Sequence, residues 1–129
     1  MRILLVTVTA IVLAGCSDRA SDLTKEQKAA LQMLGERTSD AGHERWQAAH
    51  KTVYEREQVY VDIMNASKPG TAEHQEASAK GWRFMKATNN LALEYYRRKK
   101  ADGSEKAADW YVAEIKKSDD QIIEDWHTD

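Results

Sequence analysis

Three ionisable side chains, His50, Glu57 and Asp119, fall on positions that would otherwise carry apolar residues. An imidazole and two carboxylates turned into a helical core are the donor set of a metal centre, which carboxylate-ligated bundles build from paired Glu-x-x-His motifs. The chain has one such spacing, Glu124-Asp125-Trp126-His127, close to its end. One motif supplies too few ligands, and a frayed terminus holds them poorly. The competing reading is that these side chains sit at stripe edges or satisfy hydroxyls such as those of Tyr60 and Tyr95, because buried polar groups are hydrogen-bonded. That reading is favoured. His43, His74 and His127 fall in expected first or last helical turns, where an imidazole is commonly a solvated surface group. There is no Gly-rich phosphate loop, no Gly-x-Ser-x-Gly elbow and no paired-Cys motif. The expectation is a protein that is not an enzyme and holds no metal or cofactor.

The aromatic residues carry more information. Four Trp and five Tyr in 129 residues exceed the needs of a small helical core. Trp110 lies two residues from Ala108, which at about 100° per residue places it roughly opposite its helix's apolar seam. Trp82 is displaced from its own seam by somewhat more than a quarter turn, so it either packs under a short first helix or faces solvent. Large rigid aromatics are favoured as interface anchors, and Trp110 and Trp82 are therefore the candidate partner-binding residues, with Trp110 preferred.

The elements that position these residues follow from periodicity. Thr24 and Gln27 have the spacing of a capping box, ahead of a short helix from Lys25 to about Arg37. Ser39-Asp40-Ala41-Gly42 predicts a break or kink. From His43 to Ala66, Trp46, Ala49, Val53, Tyr60, Ile63 and Met64 recur at three-and-four spacing, which only a helix buries on one face. Lys68-Pro69-Gly70 ends it. Thr71 caps a second long helix, with Ala77, Gly81, Phe84, Thr88, Leu91 and Tyr95 in one seam. Asp102-Gly103-Ser104 closes that helix, and a third, about Glu105 to Trp126, aligns Ala108, Val112, Ile115, Ile122 and Trp126. Basic residues Arg97-Arg98-Lys99-Lys100 complement the dipole at the second helix's end. The expected fold is all-α: an up-down-up antiparallel three-helix bundle, with the short N-terminal helix as a fourth, partial member. No stretch alternates as a strand would.

Composition narrows the class. With 31% charged residues and a net charge of -2, nothing in the chain is basic enough for a nucleic-acid footprint. Residues 1 to 15 have a positive charge at Arg2 and then an apolar run too short to span a bilayer, the layout of a signal peptide. The run ends in Leu13-Ala14-Gly15-Cys16, and Cys16 is the only cysteine.

Leu13-Ala14-Gly15-Cys16 resembles the lipobox of bacterial lipoproteins. That resemblance implies cleavage before Cys16 and acylation of its thiol and of the new amino terminus. Ser17 after the cysteine, where inner-membrane members have Asp, resembles the outer-membrane sorting pattern. Residues 16 to 23 then read as a lipidated cysteine with a polar tether, and residues 24 to 129 as the bundle domain. The expected place is the outer membrane, held by lipid and facing the periplasm. In size and layout the chain is similar to small exclusion or immunity lipoproteins and to accessory subunits of envelope machines. Two functions are carried forward: a module that binds an envelope protein, and a structural or stress-related lipoprotein that self-associates. A compact aromatic patch favours the first, and an apolar stripe along a whole helix favours the second.

Overall fold

The computed structural model describes residues 19–36 and 39–128. The expected signal peptide and Cys16 lie outside the described residues. Among the described residues the chain is all-helical and has no strand. A 3₁₀ turn, Ala20–Asp22, precedes five α-helices: α1 (Lys25–Glu36), α2 (Ala41–Ala66), α3 (Ala72–Asp102), α4 (Ser104–Ile115) and α5 (Asp119–Trp126).

The helix starts are built as the spacing predicts. Thr24 donates its N–H to Gln27 Oε1 at 2.8 Å and its Oγ1 accepts from Gln27 N–H at 3.2 Å, the reciprocal capping box. Asp40 accepts from His43 N–H at 2.9 Å, so α2 begins at Ala41, separate from α1. Thr71 caps α3 through His74 N–H. Gly103, at φ 93°, ends α3 in a conformation that favours glycine and starts α4 at once.

The expected single helix from Glu105 to Trp126 is instead two helices. Ser118 caps α5 by accepting from Gln121 N–H at 3.2 Å, which repeats the Thr24 and Gln27 spacing. Arg56, reaching over from α2, donates to the carbonyls of Ile115 and Lys117, so the open end of α4 is satisfied from outside. α4 also buries a different face from the expected one. Its core residues are Ala107, Ala108 and Tyr111, while Val112 and Ile115 are only half-buried.

α3 touches every other element, and α2 also packs on α4. Contacts along α2 and α3 run in opposite senses, from Met64 beside His74, through Tyr60 beside Phe84, to His43 beside Tyr95. The two are therefore antiparallel. α5 turns back along α3, with Asp120 near Lys80 and the Trp126 carbonyl accepting from Asn90 Nδ2 at 2.8 Å. The core is one cluster that includes Trp46, Val53, Phe84, Leu91, Tyr95, Tyr111 and Ile122.

Residues 19–23, expected to be tether, are docked on the domain. Ala20 is buried, and its N–H donates to Glu94 Oε1 at 2.8 Å. The polar composition of this segment hides the contact because its partner lies 74 residues away.

Candidate functional site

The three seam residues with metal-ligand chemistry are held apart, each in its own bond. His50 Nδ1 lies 2.8 Å from the Tyr111 hydroxyl. Glu57 accepts from Thr88 Oγ1 at 2.6 Å. Asp119 accepts from Arg56 Nε at 3.0 Å and from the Tyr60 hydroxyl. Among the described residues no three His, Cys, Asp or Glu side chains come together as a metal site. Glu124 is exposed on α5, apart from these groups.

The histidines near helix ends are not all surface groups. His43 is buried, with Nδ1 at 3.0 Å from the Tyr95 hydroxyl and 3.2 Å from Lys99 Nζ. It borders an aromatic stack in which Trp46 lies between Tyr95, at 4.3 Å and 4°, and His50, at 4.9 Å and 16°. Tyr96 and Tyr111 meet the same indole by their edges and tilted faces. Burial sets the protonation here. It raises the Tyr111 hydroxyl, pushes Tyr95 up to about 12 and holds His50 below the ordinary imidazole value. All three shifts favour neutral forms, as an enclosed core requires.

Trp110 does not stand opposite the seam. With α4 centred on Ala107, Ala108 and Tyr111, the indole lies on the flank, about 105° from the stripe's centre at 100° per residue. It is half-buried, with Trp126 edge-on at 5.6 Å and the Arg98 guanidinium 4.2 Å over the ring. The surface around it is polar and carries both signs of charge, including Arg98, Glu114, Lys117 and Asp125. This indole packs against α5, which helical periodicity alone did not bring back over α4.

Trp82 is the contrasting case. It is 56% exposed, and α1 packs elsewhere, with Gly35 against the Tyr96 ring. Trp82 lines an open groove of about 420 Å³ between α2 and α3, with Tyr54, Val61 and Met64 on one wall and Gly81 and Met85 on the other. Tyr54 is 63% exposed and Val61 is also solvent-facing. Gly81 lets the walls approach, since a Cβ there would meet Tyr60 Cβ at 2.9 Å. Glu57 marks the floor and is held by Thr88.

The groove continues a surface that α1 already covers. Tyr96, the residue under Gly35, lies eleven residues beyond Met85, which at about 100° per residue returns it to within about 20° of the same face of α3. One end of this face is therefore occupied by an amphipathic helix and the other end is bare. The sequence signal for Trp82 was its displacement from the seam. The signal missed was Tyr54 and Val61, which with Met64, expected in the main stripe, form a second stripe along the groove wall of α2.

Compared with known proteins, the chain matches no protein-family model, no curated protein and no solved structure.

Proposed function

We propose that this chain is an outer-membrane lipoprotein, anchored through acylated Cys16 and facing the periplasm, whose helical domain binds a helical segment of another envelope protein in the α2–α3 groove around Trp82. The setting is that of an exclusion or immunity lipoprotein or of an accessory subunit of an envelope machine. The lipobox match at Leu13 to Cys16 supports the anchor. The domain is read as an up-down-up bundle of α2, α3 and α4, with α1 and α5 packed around it. The antiparallel contacts of α2 with α3 and the broad contact of α4 with both support that reading.

One observation carries the binding role: an exposed Trp in an apolar groove that prolongs the seat of α1. An indole left in water gives folding no benefit, whereas a second amphipathic helix laid into the groove buries it, as α1 buries Tyr96. The groove occupies one end of α2 and α3, and the other exposed apolar side chains, Met33, Leu34 and Val59, are not part of it. That compactness favours a different protein as partner over the alternative, self-association along a whole helix. Trp110 is not carried forward as the anchor, because Arg98 and Trp126 already cover it.

A photo-crosslinking residue at position 61, in the lipidated protein on membranes, tests the assignment. The expected product is an adduct with a single other envelope protein, absent at position 124 and lost in Trp82→Ala. A product of twice the chain's mass would establish self-association instead.

A further inference from the structure

The amino-terminal segment is fastened to the domain by groups that are costly to separate. Glu94 is 0% exposed. Its carboxylate accepts from Ala20 N–H at 2.8 Å, from Arg97 at 2.6 Å and from Arg98 Nε at 3.0 Å, so a charge that could not be buried alone is fully paired. Arg19 stacks its guanidinium 3.7 Å over the Trp126 ring and donates to the Asp125 carbonyl. The clamp therefore ties the segment to α3 and α5 together. Two residues, Ser17 and Asp18, separate Cys16 from Arg19. Three peptide steps reach about 10–11 Å at most.

The clamp and the groove lie on opposite sides of α3. Met85 precedes Glu94 by nine residues, which at 100° each is about half a turn beyond two whole turns. The clamp side has the character of a surface that meets lipid headgroups. It is polar, with cations at Arg98 and Lys117 interleaved with Glu114, Glu124 and Asp125, and Trp110 half-buried among them. The cations are paired within the face, Arg98 with Glu94 and Lys117 with Glu114 and Asp125, so the surface suits zwitterionic headgroups, and an amphipathic indole suits the interface.

We infer that the Glu94 and Arg19 clamp holds the domain against the bilayer in one orientation, with the Trp110 face toward the lipid headgroups and the Trp82 groove turned away. The inference rests on the reading of Cys16 as the lipidated amino terminus. A tether of ordinary length would let the domain rotate freely, whereas one of about 10 Å ending in a buried ion cluster does not.

The test uses the full-length protein, purified with its lipid from membranes and reconstituted in vesicles of phosphatidylethanolamine and phosphatidylglycerol. With Cys16 acylated, a cysteine introduced by Glu124→Cys or Val61→Cys is the only free thiol for a spin label. The label at position 124 should be several-fold less accessible to a water-soluble nickel relaxant than the label at 61. A twelve-residue Gly-Ser insertion between Ser17 and Asp18, which leaves the domain untouched, should remove that difference. Equal accessibility in the native-length protein overturns the inference. So does protection at 124 that survives the insertion, since the face would then bind lipid without being held there. Mass spectrometry of the amino-terminal peptide separates the premise: an unacylated Cys16 overturns the anchor reading itself.

Discussion

The two ends of the α2–α3 pair use tryptophan in opposite ways. Around Trp46, α1, α4 and the ends of α2 and α3 close over a stack of rings, and hydrogen bonds join His43 to Tyr95 and His50 to Tyr111. Around Trp82 the same two helices run on with α5 on one side only, and on the uncovered side the indole, Tyr54 and Val61 meet water. Both ends have the apolar periodicity of a helix pair. The difference is whether a third helix covers it, and an amphipathic stripe alone does not reveal that. Where the domain closes its own surface, the aromatics serve stability. Where it leaves the surface open, they are available for recognition.

The contrast is sharpest in what truncation should cost. Trp46→Ala removes the centre of the stack and should destabilise the domain by roughly 3–5 kcal/mol, the range for large aromatics in cores, measured by denaturant unfolding. Trp110→Ala should fall between the extremes at about 1–2 kcal/mol, because it loses the Trp126 edge and the Arg98 cover but opens no enclosed cavity. A cost near zero would restore Trp110 as a free surface anchor.

A smaller effect is expected from protonating His50. Burial holds its folded pKa below the ordinary 6.5, so the unfolded chain takes up the proton first as pH falls. The stability due to the neutral imidazole is complete above about pH 6.5 and is lost as pH drops through the folded value. Melting temperatures over this range should decline more steeply for the native chain than for His50→Gln. Identical slopes would mean that the ring reaches water.

The smallest stability effect belongs to Trp82→Ala, within about 0.5 kcal/mol. The same substitution should weaken partner binding by roughly 1.5–3 kcal/mol, about tenfold to hundredfold. If Trp82→Ala unfolds the domain as Trp46→Ala does, the two ends are alike and the groove is core.

Much of the fold is legible in the sequence. The stripes of α2 and α3 and the caps at Thr24 and Thr71 are local patterns, and the structure repeats them. Ser118 and Gln121 have the same cap spacing and were legible too, but the continuing apolar residues on either side masked the break. Tyr111, and not Val112, holds the core position of α4. The docking of Ala20 on Glu94 and the return of α5 over Trp110 depend on contacts between distant parts of the chain, which no window of sequence contains. The candidate site is half legible: Trp82 stood out by phase, but its exposure depends on where α1 stops.

The 31 residues of α3 form one unbroken rod, about 46 Å long, that carries the clamp on one side and the groove on the other. With the chain anchored at Cys16 and a partner seated beside Trp82, a pull on the partner would travel along α3 to Glu94 and Ala20, and from there to the lipid. α4 and α5 would lie outside most of that path. The first bonds to yield should be those of Ala20 and Arg19, well before the paired helices slide, so the domain would let go of its own leash sooner than it lost its shape.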